Sequence, residues 1–358
     1  MSAPNTGASE KRKAHEDIAP PSDRRDRSWP IAAMALGVLI MAVFSMGMGH
    51  YPLPSAAILD VLGAALTGRD SVQGAAVDNV VLAVRLPRVL AAMLVGASLS
   101  SAGAAFQTLF RNPLASPALL GVSAGAGFGA ALAMLRSAGG LMVQGAAFAG
   151  GILAVGTAVF IAGRLGRGSV LVLVLSGLVI SALFQALTSA LKYIADPLDT
   201  LPAIVFWLLG GLGQVSLSDL TYASPFALAG IAVLFLLRWP TQVLEAGDDE
   251  AKALGIEVEP LRLVLIAAAT LTTAAAISIA GTVGWVGLLV PHLSRLLVGP
   301  AYMRLLPASA LLGAGYLLLV DDFCRSAFAT ELPLGIATAV LGAPMFVAVL
   351  MRARRQWS

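Results

Sequence analysis

Few side chains in this sequence belong to the types that perform acid-base, nucleophilic or metal chemistry. The histidines are His15, His50 and His292, and they are too scattered to build a metal site or a Ser-His-Asp triad. Asp321 and Asp322 are adjacent, so on a helix they point to different faces and do not form a paired acid-base site. The sequence therefore predicts no catalytic residue and no resident metal.

Energy-coupling residues are also missing from the sequence. There is no phosphate-binding loop of the form GxxxxGK(S/T), and none of the four lysines follows a glycine, so the chain is not expected to hydrolyse ATP by itself. The long apolar stretches carry no charge, although an ion-coupled pump needs ionisable groups inside its membrane spans. The single cysteine, Cys324, excludes an intrachain disulfide.

A pair of arginines precedes one of the apolar stretches. Arg85 and Arg88 flank Pro87, directly before a charge-free run of helix-forming residues. The dipole of a helix does not attract positive charge to its N-terminus, so these arginines need another explanation. They indicate an acidic partner outside the helix.

The segment 247–256, GDDEAKALGI, is the most informative charged stretch. Its three acidic residues suit the first turn of a helix, Ala251 and Leu254 would form a small apolar face, and Gly255 would end the helix. Either an ordinary loop helix or a docking element for a partner fits this pattern. Local features alone favour the ordinary loop helix.

The composition is that of a protein embedded in membrane lipid. Hydrophobic residues make up 58% of 358 residues, charged residues make up 12%, and the mean hydropathy is +0.85. Soluble domains need far more surface charge, so we expect a polytopic membrane protein. The net charge of +3 is then a topology signal, and nucleic acid is not implied.

Apolar stretches long enough to cross a hydrocarbon layer of roughly 30 Å recur along the chain. They predict an all-α protein with about ten spans, at 29–49, 89–110, 118–135, 141–162, 170–191, 220–237, two within 263–294, 305–320 and 334–351. The two spans within 263–294 would be separated by a glycine-rich turn near Gly281. The stretch 200–213 is too short to cross and predicts a re-entrant half-helix, and 54–67 predicts an amphipathic surface helix.

Two further features concern orientation and packing. The polar segment 1–28 has no signal-peptide pattern and is predicted to be a disordered cytoplasmic tail. With this tail inside, most lysines and arginines of the loops fall on the cytoplasmic side, as the positive-inside rule requires. Gly121, Gly125 and Gly129 are spaced by four and predict one helix face for close packing.

Five motifs, in order, resemble those of a known family. They are RLPR at 85–88, FRNPLASPALLGVSAGAG at 110–127, GDDEAKALG at 247–255, GWVGLLVPHLSR at 284–295, and ELPLG at 331–335 followed by GAPMF at 342–346. Together they resemble the permeases of type II ABC importers, which carry iron-siderophore complexes, haem or cobalamin. The resemblance covers residues 29–355, which would form one permease domain.

This resemblance implies an assembly. The chain would form a homodimer in the bacterial inner membrane, with the translocation path between its subunits and both termini in the cytoplasm. Two ATPase subunits, which use ATP and Mg, would bind the cytoplasmic face, and a periplasmic binding protein would deliver the substrate. The chain itself would bind no cofactor.

The resemblance also assigns roles to residues of this sequence. The segment 247–256 would be the coupling helix that sits in a cleft of the ATPase, which reverses the preference for an ordinary loop helix. Its residues are Gly247, Asp248, Glu250, Ala251, Leu254 and Gly255. The residues expected to pair with glutamates of the binding protein are Arg85, Arg88 and Arg325. The residues expected to close the cytoplasmic gate are Asn112, Leu114, Gly168 and Ser169.

Several substrates and two other classes of membrane protein are alternatives for this sequence. The segment 195–213 matches no haem signature, which leaves the substrate class open. Among the substrates that the resemblance implies, we expect a ferric siderophore, with haem or cobalamin next and molybdate as a further alternative. A stand-alone channel or secondary carrier would need intramembrane charges or a polar filter. An intramembrane enzyme would need paired catalytic groups within the spans. The sequence offers neither set.

Overall fold

The computed structural model describes residues 29–49, 53–166, 169–327 and 330–354, the last range without the side chains of 348–350 and 352–354. The predicted tail 1–28 and the predicted gate residue Gly168 lie outside these residues. Within them every regular element is a helix, which confirms the all-α class. The helices are α1 Trp29–Gly47, α2 Ser55–Thr67, α3 Ala75–Leu109, α4 Val122–Leu135, α5 Gly140–Leu165, α6 Val170–Ile194, α7 Thr200–Leu209, α8 Leu217–Leu236, α9 Arg238–Ala246, α10 Asp248–Ala253, α11 Val258–Ala280, α12 Val286–Val298, α13 Tyr302–Ser326 and α14 Leu334–Arg354.

Seven of the described helices are long and apolar enough to cross a membrane, namely α1, α3, α5, α6, α8, α11 and α13. The other predicted spans correspond to the shorter apolar helices α4 and α12 and to α14. With 14 and 13 residues, α4 and α12 are each about 20 Å long. They cannot cross a hydrocarbon layer of roughly 30 Å without help from flanking turns.

The predicted half-helix and the predicted break near Gly281 are both present, and they lie against each other. The half-helix α7 ends before Gly210 (φ 74°), and α11 ends before Gly281 (φ 66°), two positive φ values that glycine adopts readily. The Gly211 N–H donates to the Ala280 carbonyl at 2.9 Å, and the Leu334 N–H donates to the Gly210 carbonyl at 3.0 Å. The broken ends thus satisfy one another's backbone groups, which is the condition for irregular backbone at membrane depth.

Helix α3 lies at the centre of the bundle and packs against α13, α11 and α12. Gly96 of α3 lies against Gly313 of α13, and Gly103 lies against Gly287 of α12. A Cβ atom on Gly96 or Gly103 would overlap the facing backbone carbonyl. Because lipid is as apolar as the side chains, such close backbone contacts supply much of the packing that holds spans together.

The three glycines predicted to share one packing face divide into two roles. Gly125 and Gly129 face α5, where a Cβ atom would overlap the carbonyl oxygens of Gly150 and Ala146 respectively. Gly121 does not belong to that face, because it precedes α4 with φ 88° and approaches α6 instead. A spacing of four residues gives one face only if all members are helical, so the prediction is wrong for Gly121.

The contact between α4 and α5 predicts unequal effects for two identical substitutions. We expect Gly125→Ala to lower the melting temperature of the detergent-solubilised protein by several degrees, because the new methyl group meets the Gly150 carbonyl and Ala154. Gly156→Ala in α5 is the matched control, since a Cβ atom there meets nothing within 4 Å. The control is expected to be neutral or stabilising by up to about 1 kcal/mol. Equal melting temperatures for the two variants would contradict the close approach of α4 to α5.

Candidate functional site

Charged side chains gather at two opposite ends of the bundle. The Arg88 end comprises Arg88 within α3, the end of α1, the end of α13 and Glu331. The Asp248 end comprises Asp248 in α10, the turn after α3, and the start of α11. About 35 Å of helix α3 separates the two ends. The predicted topology places the Arg88 end outside and the Asp248 end inside.

Arg88 makes the central ion pair of its end. Its Nε and Nη2 atoms donate to both carboxylate oxygens of Asp321 at 2.9–3.1 Å, and its Nη1 atom donates to Glu331 at 2.8 Å. The side chains of Arg88 and Asp321 are only 10% and 1% exposed, whereas that of Glu331 is half-exposed. The pair therefore ties α3 to the end of α13.

The other two predicted docking arginines are also buried at this end. Arg325 pairs with Asp322 and donates to the Ser45 hydroxyl at 2.7 Å, and Arg85 donates to the Met46 carbonyl. The structure thus brings all three arginines together, but it surrounds them with partners from the chain itself. A carboxylate of a binding protein would have to displace Glu331 to reach Arg88. Their docking role stays a prediction.

The predicted coupling segment forms a separate short helix between α9 and α11. Gly247 is an extended residue that separates α9 from α10, and a Cβ atom there would overlap the Glu250 carboxylate. Asp248 begins α10 and accepts from two arginines of other elements. Gly255 has φ 78°, which suits a residue that ends the helix. The sequence pattern therefore predicted the helix and both of its ends.

Two residues of this helix differ from the sequence-based prediction. Ala251 is fully buried, whereas Leu254 is 63% exposed and lies just beyond the last turn. They do not form a common apolar face, because the helix is only six residues long and Leu254 already belongs to its C-terminal cap. Ala251 fixes the helix to the bundle, and Leu254 is available for a contact with another protein.

The three predicted gate residues that the structure describes lie in turns at the same end. Asn112 and Leu114 are exposed, and the Asn112 side-chain oxygen accepts from the Leu114 N–H at 2.9 Å, which holds the turn between α3 and α4. Ser169 caps α6 by accepting from the Val172 N–H at 3.4 Å. Each hydrogen bond explains the local shape of its turn. Neither of them tests the predicted role of these residues in the gate.

Sequence reasoning missed a polar network beside these turns. The Gln107 side chain of α3 donates to the Leu288 carbonyl at 3.1 Å and accepts from Arg295 of α12. Burial raises the pKa of Glu245 in α9, and the nearby Arg295 opposes that shift. The members come from helices far apart in sequence, so no local spacing could have revealed the network.

The chain is similar to known permeases over nearly its whole length. The profile of the FecCD transport family matches residues 37–352. The molybdate import system permease protein MolB of Haemophilus influenzae is 40% identical over 328 residues, which is 90% of this chain and 95% of MolB. A probable iron chelatin transport system permease protein of Helicobacter pylori is 44% identical over 275 residues, which is 77% of this chain and 83% of that protein.

The fold has a close counterpart among solved structures. An inward-facing conformation of a putative metal-chelate type ABC transporter superposes with a TM-score of 0.81 at 35% identity. The superposition covers 90% of this chain and 98% of the other. Together with the family match, it confirms the resemblance noted in the sequence. The chain belongs to the FecCD transport family and is the membrane-embedded permease of a type II ABC importer, a system in which separate ATPase subunits hydrolyse ATP.

Proposed function

We propose that this permease imports a ferric siderophore or a similarly bulky iron chelate across the bacterial inner membrane into the cytoplasm. The observation that carries the proposal is the 44% identity to the Helicobacter pylori permease named for iron chelatin transport. The likeness to a transporter described as metal-chelate type supports the same substrate class. In this proposal the chain has both termini in the cytoplasm and receives its substrate from a periplasmic binding protein at the Arg88 end.

A homodimer would supply the translocation path. Helix α6 carries no charged residue between positions 170 and 191, and it leaves large apolar side chains exposed, including Leu175, Leu178 and Leu183. Two such helices from facing subunits would enclose an apolar path with no charge to hold an anionic chelate. Weak binding of the chelate by this path favours its release, because conduction requires that a substrate can leave its site.

The Asp248 end would receive the ATPase subunits. The segment 247–256 presents exposed Leu254 directly after a short helix that is fixed to the bundle through Ala251. In the proposed assembly this segment is the coupling helix, and the turns at 111–114 and 169 form the cytoplasmic gate. ATP and Mg would be bound by the partner subunits, and this chain would hold no cofactor.

Molybdate is the second candidate substrate, since a specific comparison favours it. The molybdate permease of Haemophilus influenzae matches 90% of this chain, a larger share than the iron chelatin permease matches. Molybdate is a small oxyanion, whereas a ferric siderophore is a bulky chelate. The apolar character of the path does not separate the two, so the substrate must be measured directly.

The proposed function is tested by uptake into proteoliposomes that contain this chain with its ATPase, in the presence of its binding protein. A ferric siderophore, haem, cobalamin and molybdate are compared as labelled substrates. We expect uptake of the ferric siderophore only when ATP, ATPase and binding protein are all present. If molybdate is the only compound taken up, the substrate is molybdate and not an iron chelate. Uptake without ATP or binding protein would show a carrier instead.

A further inference from the structure

The Asp248 carboxylate lies between two arginines that come from different elements. Arg111, in the turn after α3, donates from Nη2 to Oδ1 of Asp248 at 2.7 Å. Arg262, near the start of α11, donates from Nη2 to Oδ1 at 2.8 Å and to Oδ2 at 2.7 Å. Arg111 also donates to the Leu244 carbonyl of α9 at 3.2 Å. Asp248 therefore joins the predicted coupling segment to two parts of the membrane bundle.

The backbone at Arg111 shows that this junction is specific. Arg111 has φ 46°, a left-handed conformation that costs energy for a residue with a side chain. It lies directly before Asn112, so the orientation of its backbone sets the direction of the turn 111–114 that follows. The two side-chain contacts of Arg111 hold that turn in register with α9 and α10.

The neighbouring aspartate behaves differently. The side chain of Asp249 is 97% exposed and lies 3.7 Å from Lys252 of its own helix. Of these two adjacent carboxylates, Asp248 faces the junction with the bundle and Asp249 faces away from it. The Asp248 carboxylate is thus paired within the chain, whereas Asp249 and Leu254 are among the exposed residues of the segment.

We propose that Asp248 is a positioning residue that transmits displacement of the 247–256 segment to the turn 111–114 and to α11. The proposal rests on the proposed function, because it takes the segment to be moved by the ATPase. Short charge-assisted hydrogen bonds connect the three elements directly, so a shift of α10 moves both arginines with it. Arg111 and Asp248 are partly exposed, and pairs of this kind contribute little to overall stability. Their loss is therefore expected to disconnect the elements and leave the fold intact.

The test measures the distance between the two copies of the turn region in the assembled complex. Ala118 is exposed and follows the turn, so Ala118→Cys in a Cys324→Ser background carries the spin label. Distances between the two labels are recorded with and without a non-hydrolysable ATP analogue and Mg, in the complex with the ATPase. The substitutions compared are Asp248→Asn, Arg111→Met and, as the matched control, Asp249→Asn. Co-purification of the ATPase is measured for each.

We expect a nucleotide-induced change of distance in the wild type and in Asp249→Asn. In Asp248→Asn and Arg111→Met the change should shrink about fivefold or more, while the ATPase still co-purifies. Full retention of the change in Asp248→Asn, or equal loss in Asp249→Asn, would overturn the proposal. If Asp248→Asn loses the ATPase and Arg111→Met keeps the full change, Asp248 holds the partner and transmits nothing, which also overturns it. A wild type that neither changes distance nor imports substrate would refute the proposed function itself.

Discussion

Replacing Leu254 by aspartate is expected to abolish ATP-driven uptake while the chain still inserts into the membrane. Leu254 is 63% exposed, so its substitution removes little packing within the subunit. In the proposed assembly the same side chain enters an apolar cleft of the ATPase, where an unpaired carboxylate costs on the order of 3 kcal/mol or more. A loss of that size weakens binding of the ATPase by about 100-fold or more.

The measurement for Leu254 combines uptake by proteoliposomes with co-purification of the ATPase. Leu254→Met is the control, because it keeps an apolar side chain of similar volume and should retain both activities. Normal uptake by Leu254→Asp would show that the 247–256 segment does not dock in the ATPase. Loss of membrane insertion by Leu254→Asp would mean that the residue supports the fold and is not simply exposed.

The elements that the sequence predicted correctly depend on local patterns. The half-helix α7 could be predicted because a mainly apolar stretch of ten residues, followed by glycines, is too short to cross a membrane. The break at Gly281 could be predicted because an uninterrupted charge-free stretch was too long for one upright helix. In both cases length, glycine and apolar character act on neighbouring residues, so no knowledge of the tertiary structure was needed.

The surroundings of the charged residues could not be predicted in the same way. Arg88 and its partner Asp321 are 233 positions apart, and neither residue's local sequence indicates the other. The sequence therefore suggested an external acidic partner for an arginine that the fold already pairs internally. Arg111 is likewise a loop arginine that contributes to the positive-inside count, and nothing in its local sequence indicates its contact with Asp248 across 137 positions. Contacts of this kind depend on which helices become neighbours, and that is decided by packing.

Gly121 and Leu254 show a second limit, which concerns the ends of helices. Each was assigned to a helix face from its spacing, and each lies just outside the regular helix. Caps and short turns change the direction of a side chain within one residue, because the backbone leaves the helical conformation there. Spacing arguments thus fail first at helix ends, where several of the predicted functional residues of this permease lie.

The largest effect on stability is expected from Arg88→Met. Removing this arginine leaves Asp321, whose side chain is 1% exposed, without its bidentate partner in the packed contact between α3 and α13. Breaking a buried pair by removing one member costs about 3–5 kcal/mol. Asp321 would keep only the more distant Arg325, whose Nε atom lies 3.9 Å from its Oδ2 atom and does not replace the hydrogen bonds from Arg88. The variant should therefore show a much lower melting temperature in detergent, and little of it should remain monodisperse after extraction.

A second substitution separates this effect from loss of docking. In Arg88→Met/Asp321→Leu both charges are replaced by apolar groups, and such replacements of buried pairs are often neutral or stabilising. We expect the double variant to recover most of the melting temperature, and Arg136→Met, at an exposed arginine after α4, to leave it unchanged. If the double variant is stable but no longer binds the periplasmic protein, Arg88 also serves docking, because the loss of binding is then not caused by loss of stability. If Arg88→Met alone is as stable as the wild type, the ion pair does not hold α3 to α13, and the arginine is free to serve a partner.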